Sequence, residues 1–160
     1  MSNDVVLLVA RIFLVALFLI SGFGMVGAPE GFAGYMGAIG MPAPLLVTWL
    51  VIALKVLGGI AIVVGFQTRY VAYAFALFCI STALIAHTNF ADMNEFNNFF
   101  KNVAIAGGFL ALSVSGPGAL SLAGRRQIVG PAISSRQEAG FGPPFVFRAW
   151  TLPPLPHRDR

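Results

Sequence analysis

Between Leu45 and Phe66 the chain runs for 22 residues with a single charged side chain, Lys55. At 1.5 Å per residue such a stretch reaches roughly 33 Å, enough to cross a hydrocarbon core of about 30 Å. Hydrocarbon offers no partner to a backbone N–H or C=O, so a segment of this kind satisfies itself as an α-helix. Three further blocks repeat the pattern. Val5 to about Val26 is interrupted only by Arg11, Tyr70 to about His87 carries no Asp, Glu, Lys or Arg, and the last block runs from about Phe96 or Phe99 to Val114. Lys101 and Asn102 then fall within the first turns of that last span. The expected fold is all-α: a four-helix transmembrane bundle with spans at about 5–26, 45–66, 70–87 and 99–115.

Composition agrees. Hydrophobic residues make up 58% of the 160 and charged residues 10%, where a soluble domain carries about 25% charged. The apolar excess is more than one soluble core can hide. The first block reads as a retained anchor rather than a cleaved leader, because Asp4 precedes it, Arg11 lies inside it and no small-x-small site closes it.

The connections are punctuated. Residues 27–44, rich in Gly and Pro, place Phe32, Tyr35, Met36, Ile39 and Met41 at spacings that suit a short interfacial helix, ended by Pro42 and Pro44. Gln67-Thr68-Arg69 is so short a turn that the second and third spans must be antiparallel neighbours. Gly116-Pro117-Gly118 stops the fourth span. From Leu122 onward prolines and arginines dominate, which divides the chain into a bundle at 1–121 and a tail at 122–160, read as disordered and cytoplasmic.

Basic residues set the orientation. With the N-terminus on one side, Arg11, Arg69, Arg125 and Arg126 share that side, and Lys101 alone lies opposite, with Glu30, Asp92 and Glu95. Lys and Arg concentrate on the cytoplasmic side of membrane proteins, so both termini are expected there, in a multi-pass protein of the bacterial inner (plasma) membrane. A basic tail of this kind faces an anionic leaflet. It lacks the aromatic-interleaved pattern of a nucleic-acid module, and no nucleic-acid partner is expected.

Polar side chains inside spans are the informative exceptions, since each is costly in lipid. Lys55, near mid-span, is either a proton-exchanging or anion-contacting group inside the bundle, or a neutral or snorkelled lysine that the fold tolerates. His87 and Lys101 lie on the same outward face and can approach each other across the loop between them. An imidazole there suits proton exchange or head-group contact; its plainer role is an interfacial hydrogen bond to a loop carbonyl. Arg11 either snorkels, the plainer reading, or clamps a carbonyl or lipid phosphate between helices. Gly22, Gly58, Gly59, Gly107 and Gly108 suit close helix packing. Asp92 and Glu95 read as a charged loop face. Cys79 is single and lies in an apolar run, where free cysteine behaves as a small hydrophobe. One histidine in the bundle is too few for a protein-only metal site or a bis-His haem, so no metal is expected.

Five runs in this order, RIFLVALFLISGFGM, GFAGYMGAIGMPAP, KVLGGIAIVVGFQTR, TALIAHTNF and FFKNVAIAGGFLAL with GPGALSL, resemble the DoxX family of small bacterial membrane proteins over roughly residues 5–122. The resemblance implies a four-helix membrane bundle that acts as an accessory subunit of a quinone-linked respiratory or redox complex. Redox-complex subunits are then the partners besides the lipid bilayer, and a quinone is the small molecule implied. Arg11, Ser21, Gly22, Gly58, Gly59, His87, Lys101 and Asn102 fall on the family's recurring positions. Two positions depart from it: Lys55 stands where the family commonly has an acid, and Met25 where it often has a lysine. The alternative class is a stand-alone transporter or lipid/quinone-binding protein. Residue types suited to autonomous catalysis are missing: there is no nucleophile–base pair and no phosphate-cradling loop. Glycine-lined faces permit a homo-oligomer without requiring one.

Overall fold

The computed structural model describes residues 2–124, and these are all-helical, without a strand. Most of the expected tail, residues 125–160, lies outside the described residues. Five helices follow one another: α1 (Asn3–Val26), α2 (Pro29–Ala38), α3 (Pro44–Val64), α4 (Thr68–Ala86) and α5 (Met93–Ser115). Of these, α1, α3 and α4 are long and apolar enough to cross a membrane. α5 matches them in length at 23 residues, but Asn94, Glu95, Asn97, Asn98 and Lys101 make its first half more polar.

Local chemistry sets the boundaries. Pro29 and Pro44 open α2 and α3 at the first helical turn, where the missing N–H costs nothing and the ring presets φ. Gly65 ends α3 in the left-handed region at φ 74°, a conformation that glycine adopts without a Cβ clash. α4 begins at Thr68, so the turn is as short as the sequence demands. α5 starts several residues before the expected 99, because Asp92 caps it by accepting a hydrogen bond from the Asn94 backbone N–H at 2.8 Å. Lys101 and Asn102 therefore sit in the third turn rather than at the helix start.

α3 is not one regular helix. Leu54–Gly58 forms a π turn between the α-helical stretches Pro44–Ala53 and Gly59–Val64. Lys55 lies in that turn.

The core is aromatic. Phe75 and Phe109 stack at 4.8 Å between ring centroids, and Phe18 tilts against both at 4.9 and 5.7 Å. Val15, Ile62, Ala72, Ala76, Cys79, Ala106 and Leu112 complete it. On α4 the buried residues Ala72, Ala76, Cys79 and Ala83 recur at helical spacing, a small-residue seam that brings α5 close. Cys79 acts there as a small apolar residue. The outward faces are the reverse of a soluble protein's: Phe13, Ile20, Tyr70, Leu77 and Val114 are largely exposed, while Arg11, Thr48, Thr68 and Ser113 are buried. Apolar-out and polar-in is the pattern that hydrocarbon selects.

Candidate functional site

Four of the five polar residues singled out within the spans line one cavity. It measures about 500 Å³, is walled by Phe18, Phe32, Met36, Val47, Val51 and Phe78, and carries Lys55, His87, Lys101 and Asn102 together with Ser21 and Thr82. All five helices contribute, or the residue capping them, His87. Along α4 the cavity runs from Phe78 to His87, about 14 Å of helix rise.

Lys55 projects from the π turn beside α1. A Cβ added to Gly22 would come within 2.8 Å of the Lys55 Cβ, so only glycine at 22 lets the two backbones meet at this level. The Lys55 Nζ lies 3.5 Å from Met25 Sδ and 5.9 and 5.8 Å from the ring centroids of Phe32 and Phe78. The two positions that depart from the family pattern, Lys55 and Met25, are thus in contact. A thioether and two ring faces hold an ammonium through polarisability and the ring quadrupole, the latter worth about 0.5–2 kcal/mol each. Among the described residues no carboxylate lies within 4 Å of this ammonium.

At the other end, His87 does not pair with Lys101. Its Nδ1 lies 2.7 Å from Glu95 Oε2, both side chains being partly buried, and this is the one ion-pair contact among the described residues. Glu95 is therefore more than a charged loop face. Sequence spacing offered a signal for it: Glu95 is eight residues from His87, across a loop that folds back. The Lys101 Nζ donates to Asn98 Oδ1 at 2.6 Å, and Asn102 Nδ2 donates to the Asn98 carbonyl at 2.9 Å. The Asn102 side-chain oxygen is left free for another donor.

Arg11 belongs elsewhere. Its side chain is fully buried, donating to the Leu120 carbonyl at 2.5 Å and, at the long limit of 3.5 Å, to the Ile62 carbonyl. The snorkelling reading is overturned, because the guanidinium finds two backbone acceptors without leaving the bundle. Nearby, Asp4 Oδ1 accepts the Ala119 N–H at 2.8 Å. Together Asp4 and Arg11 fasten the segment after α5 to α1. Gly65 sits against this clasp, where any Cβ would collide with Ser121 and approach the Arg11 guanidinium within 2.6 Å.

The glycines divide. Gly22, Gly58, Gly59 and Gly108 face neighbouring helices, the last two against Leu19 and Leu14. Gly107 has nothing within 4 Å of its Cβ position and is exposed, so among the described residues it packs against no other helix; it lies one residue, about 100° of helix, from the buried face. Two features escaped the sequence reading. The π turn has no signature in residue type alone, and the part of α2 in the cavity depends on how the interfacial helix folds back.

An all-helical fold over the described residues, with an apolar exterior, buried polar groups and an apolar-walled cavity that carries a few polar side chains, is by class that of a membrane protein. Comparison with known proteins makes this specific: the DoxX family profile matches residues 6–88, and the chain belongs to the DoxX family. It is 41% identical over 127 residues to the inner membrane protein YphA of Escherichia coli, covering 76% of this chain and 90% of that protein. It is 44% identical over 120 residues to the inner membrane protein YqjF of the same organism, with 75% and 91% covered. No solved structure matches the chain. The family match ends at residue 88, so Glu95, Lys101 and Asn102 lie beyond it.

Proposed function

We propose that the protein is a four-span inner-membrane bundle, both termini cytoplasmic, that holds a membrane amphiphile in the cavity between its helices. The observation that carries this is the convergence of Lys55, His87, Lys101 and Asn102 on one space of about 500 Å³ with apolar walls. Ligand sites are mostly apolar clefts of this size with a few placed polar groups. Ser21 and Thr82 give their hydroxyl protons to the Phe18 and Phe78 carbonyls, so the donors turned to the space are chiefly the ammonium groups of Lys55 and Lys101. These suit a head group built of oxygen acceptors, and the walls suit a hydrocarbon chain. Quinones and single-chain lipids share that chemistry.

α5 is the fourth crossing in this reading. From its polar first half Lys101 and Asn102 line the cavity and Glu95 meets His87, which accounts for part of its lower apolarity. The names of YphA and YqjF, both inner membrane proteins, support the compartment. Family membership supports the accessory role: the chain holds the amphiphile, and a redox partner moves the electrons.

Protein reconstituted in nanodiscs is titrated with a short-tailed quinone and with a fluorescent single-chain lipid. Saturable binding of at least one is expected, lowered about tenfold or more when Val51→Trp fills the cavity, by analogy with the cost of displacing a well-packed ligand. Binding that ignores this substitution removes the cavity from consideration. Purification in mild detergent tests the accessory role: an oxidoreductase is expected to accompany the chain, and a lone monodisperse species argues against that part of the reading.

A further inference from the structure

We infer that the head group the cavity takes is an anion of the carboxylate type on a single hydrocarbon chain, seated against Lys55. This rests on the reading of the cavity as an amphiphile site and adds the charge of its occupant.

Charged and titratable groups reach this space from four directions, α2 contributing only the neutral phenol of Tyr35. α3 supplies Lys55, the end of α4 supplies His87, and α5 supplies Lys101, with Glu95 behind His87. Among the described residues the one carboxylate near the cavity, Glu95, is already engaged by His87 at 2.7 Å. Asp92 caps α5. Glu30, the acid of α2, is exposed and is not among the residues that line the cavity. Two ammonium groups therefore face the space without a carboxylate of their own among the described residues.

Lys55 is the more demanding of the two. Its neighbours, Met25 Sδ and the faces of Phe32 and Phe78, carry no formal charge. A thioether is a weak acceptor, so most of the three N–H donors remain open to a ligand. Among the described residues Lys101 is bonded only to the neutral Asn98 amide. An occupant with one negative charge completes an ion pair away from bulk water, whereas a neutral carbonyl gains only a hydrogen bond. Opposite charge also matches the sign of the whole lining.

The dimensions favour one chain. The cavity's run of about 14 Å along α4 matches the depth of one leaflet, half of a hydrocarbon core of about 30 Å. Its volume, about 500 Å³, lies in the range of small-molecule sites rather than of a two-chain phospholipid. Leu17, Met36, Met41, Val47, Val51 and Ile85 offer the apolar wall.

The test uses the full-length protein in nanodiscs of zwitterionic lipid, loaded with a fluorescent long-chain fatty acid. Unlabelled fatty acid, its methyl ester and a short-tailed quinone compete in parallel. The acid is expected to displace the probe at about tenfold lower concentration than the ester. That preference should persist in Lys55→Arg, which keeps the charge, and vanish in Lys55→Met. If the ester or the quinone competes as well as the acid, or if the preference survives Lys55→Met, the anionic head group is wrong while the amphiphile site stands. If no member of the series binds, the amphiphile reading falls and this inference with it.

Discussion

The Arg11 guanidinium is fully buried with no carboxylate beside it among the described residues, and it donates hydrogen bonds to two carbonyls, of Leu120 and Ile62. Its Nε finds no partner among the described residues. A buried charge held only by backbone oxygens stabilises through hydrogen bonding and is opposed by its own desolvation. Which effect dominates is testable, and the short bond to the Leu120 carbonyl carries the clasp, since the Ile62 carbonyl also accepts the Gly65 N–H at 3.1 Å. Arg11→Met is expected to destabilise the protein by about 2 kcal/mol, the scale of a hydrogen bond to a charged group. Thermal unfolding in detergent reads this out. A variant as stable as the parent would show that desolvation cancels the clasp.

At the scale of elements, the π turn at Leu54–Gly58 is the feature that places Lys55. A π turn inserts one residue into an α-helix and often marks a functional site. Above it Thr48 and Ile52 are buried, and below it Gly59 and Ile62 are buried, so both halves of α3 already face the bundle correctly. Deleting the exposed Leu57 should convert the turn to regular α-helix and leave those faces in place. Deleting Ile60, which is also exposed, should rotate Ile62 and Gly65 by about 100° away from Arg11. The expected result is a small loss of stability for the Leu57 deletion and a loss of about 3 kcal/mol or more for the Ile60 deletion. Equal losses would mean that the turn does not absorb the extra residue.

For the whole molecule the decisive property is which side each loop occupies. Arg69 with Arg11 outweighs Lys101 as a cytoplasmic signal, so the turn at Gln67 should lie inside and the loop at Asn89 outside. In a Cys79→Ala background, Asn89→Cys should react with a membrane-impermeant maleimide in intact spheroplasts, and Gln67→Cys only after lysis. The reverse labelling would invert the orientation. Labelling of both from one side would abolish the hairpin between them.

The all-helical fold of the described residues, the apolar exterior and the short α3–α4 turn were legible in one dimension, because long apolar runs and Gly/Pro punctuation act through neighbours a few residues away. Lys55, His87, Lys101 and Asn102 were legible as candidates for the same reason: a polar group in a greasy run is conspicuous by composition. Their convergence was not. Whether His87 meets Lys101 or Glu95 depends on how the loop folds back onto α5. Whether Arg11 reaches water or Leu120 depends on where the segment after α5 returns, 109 residues later in the chain. Contacts at that separation depend on packing across the bundle, and no local pattern of residue types encodes them.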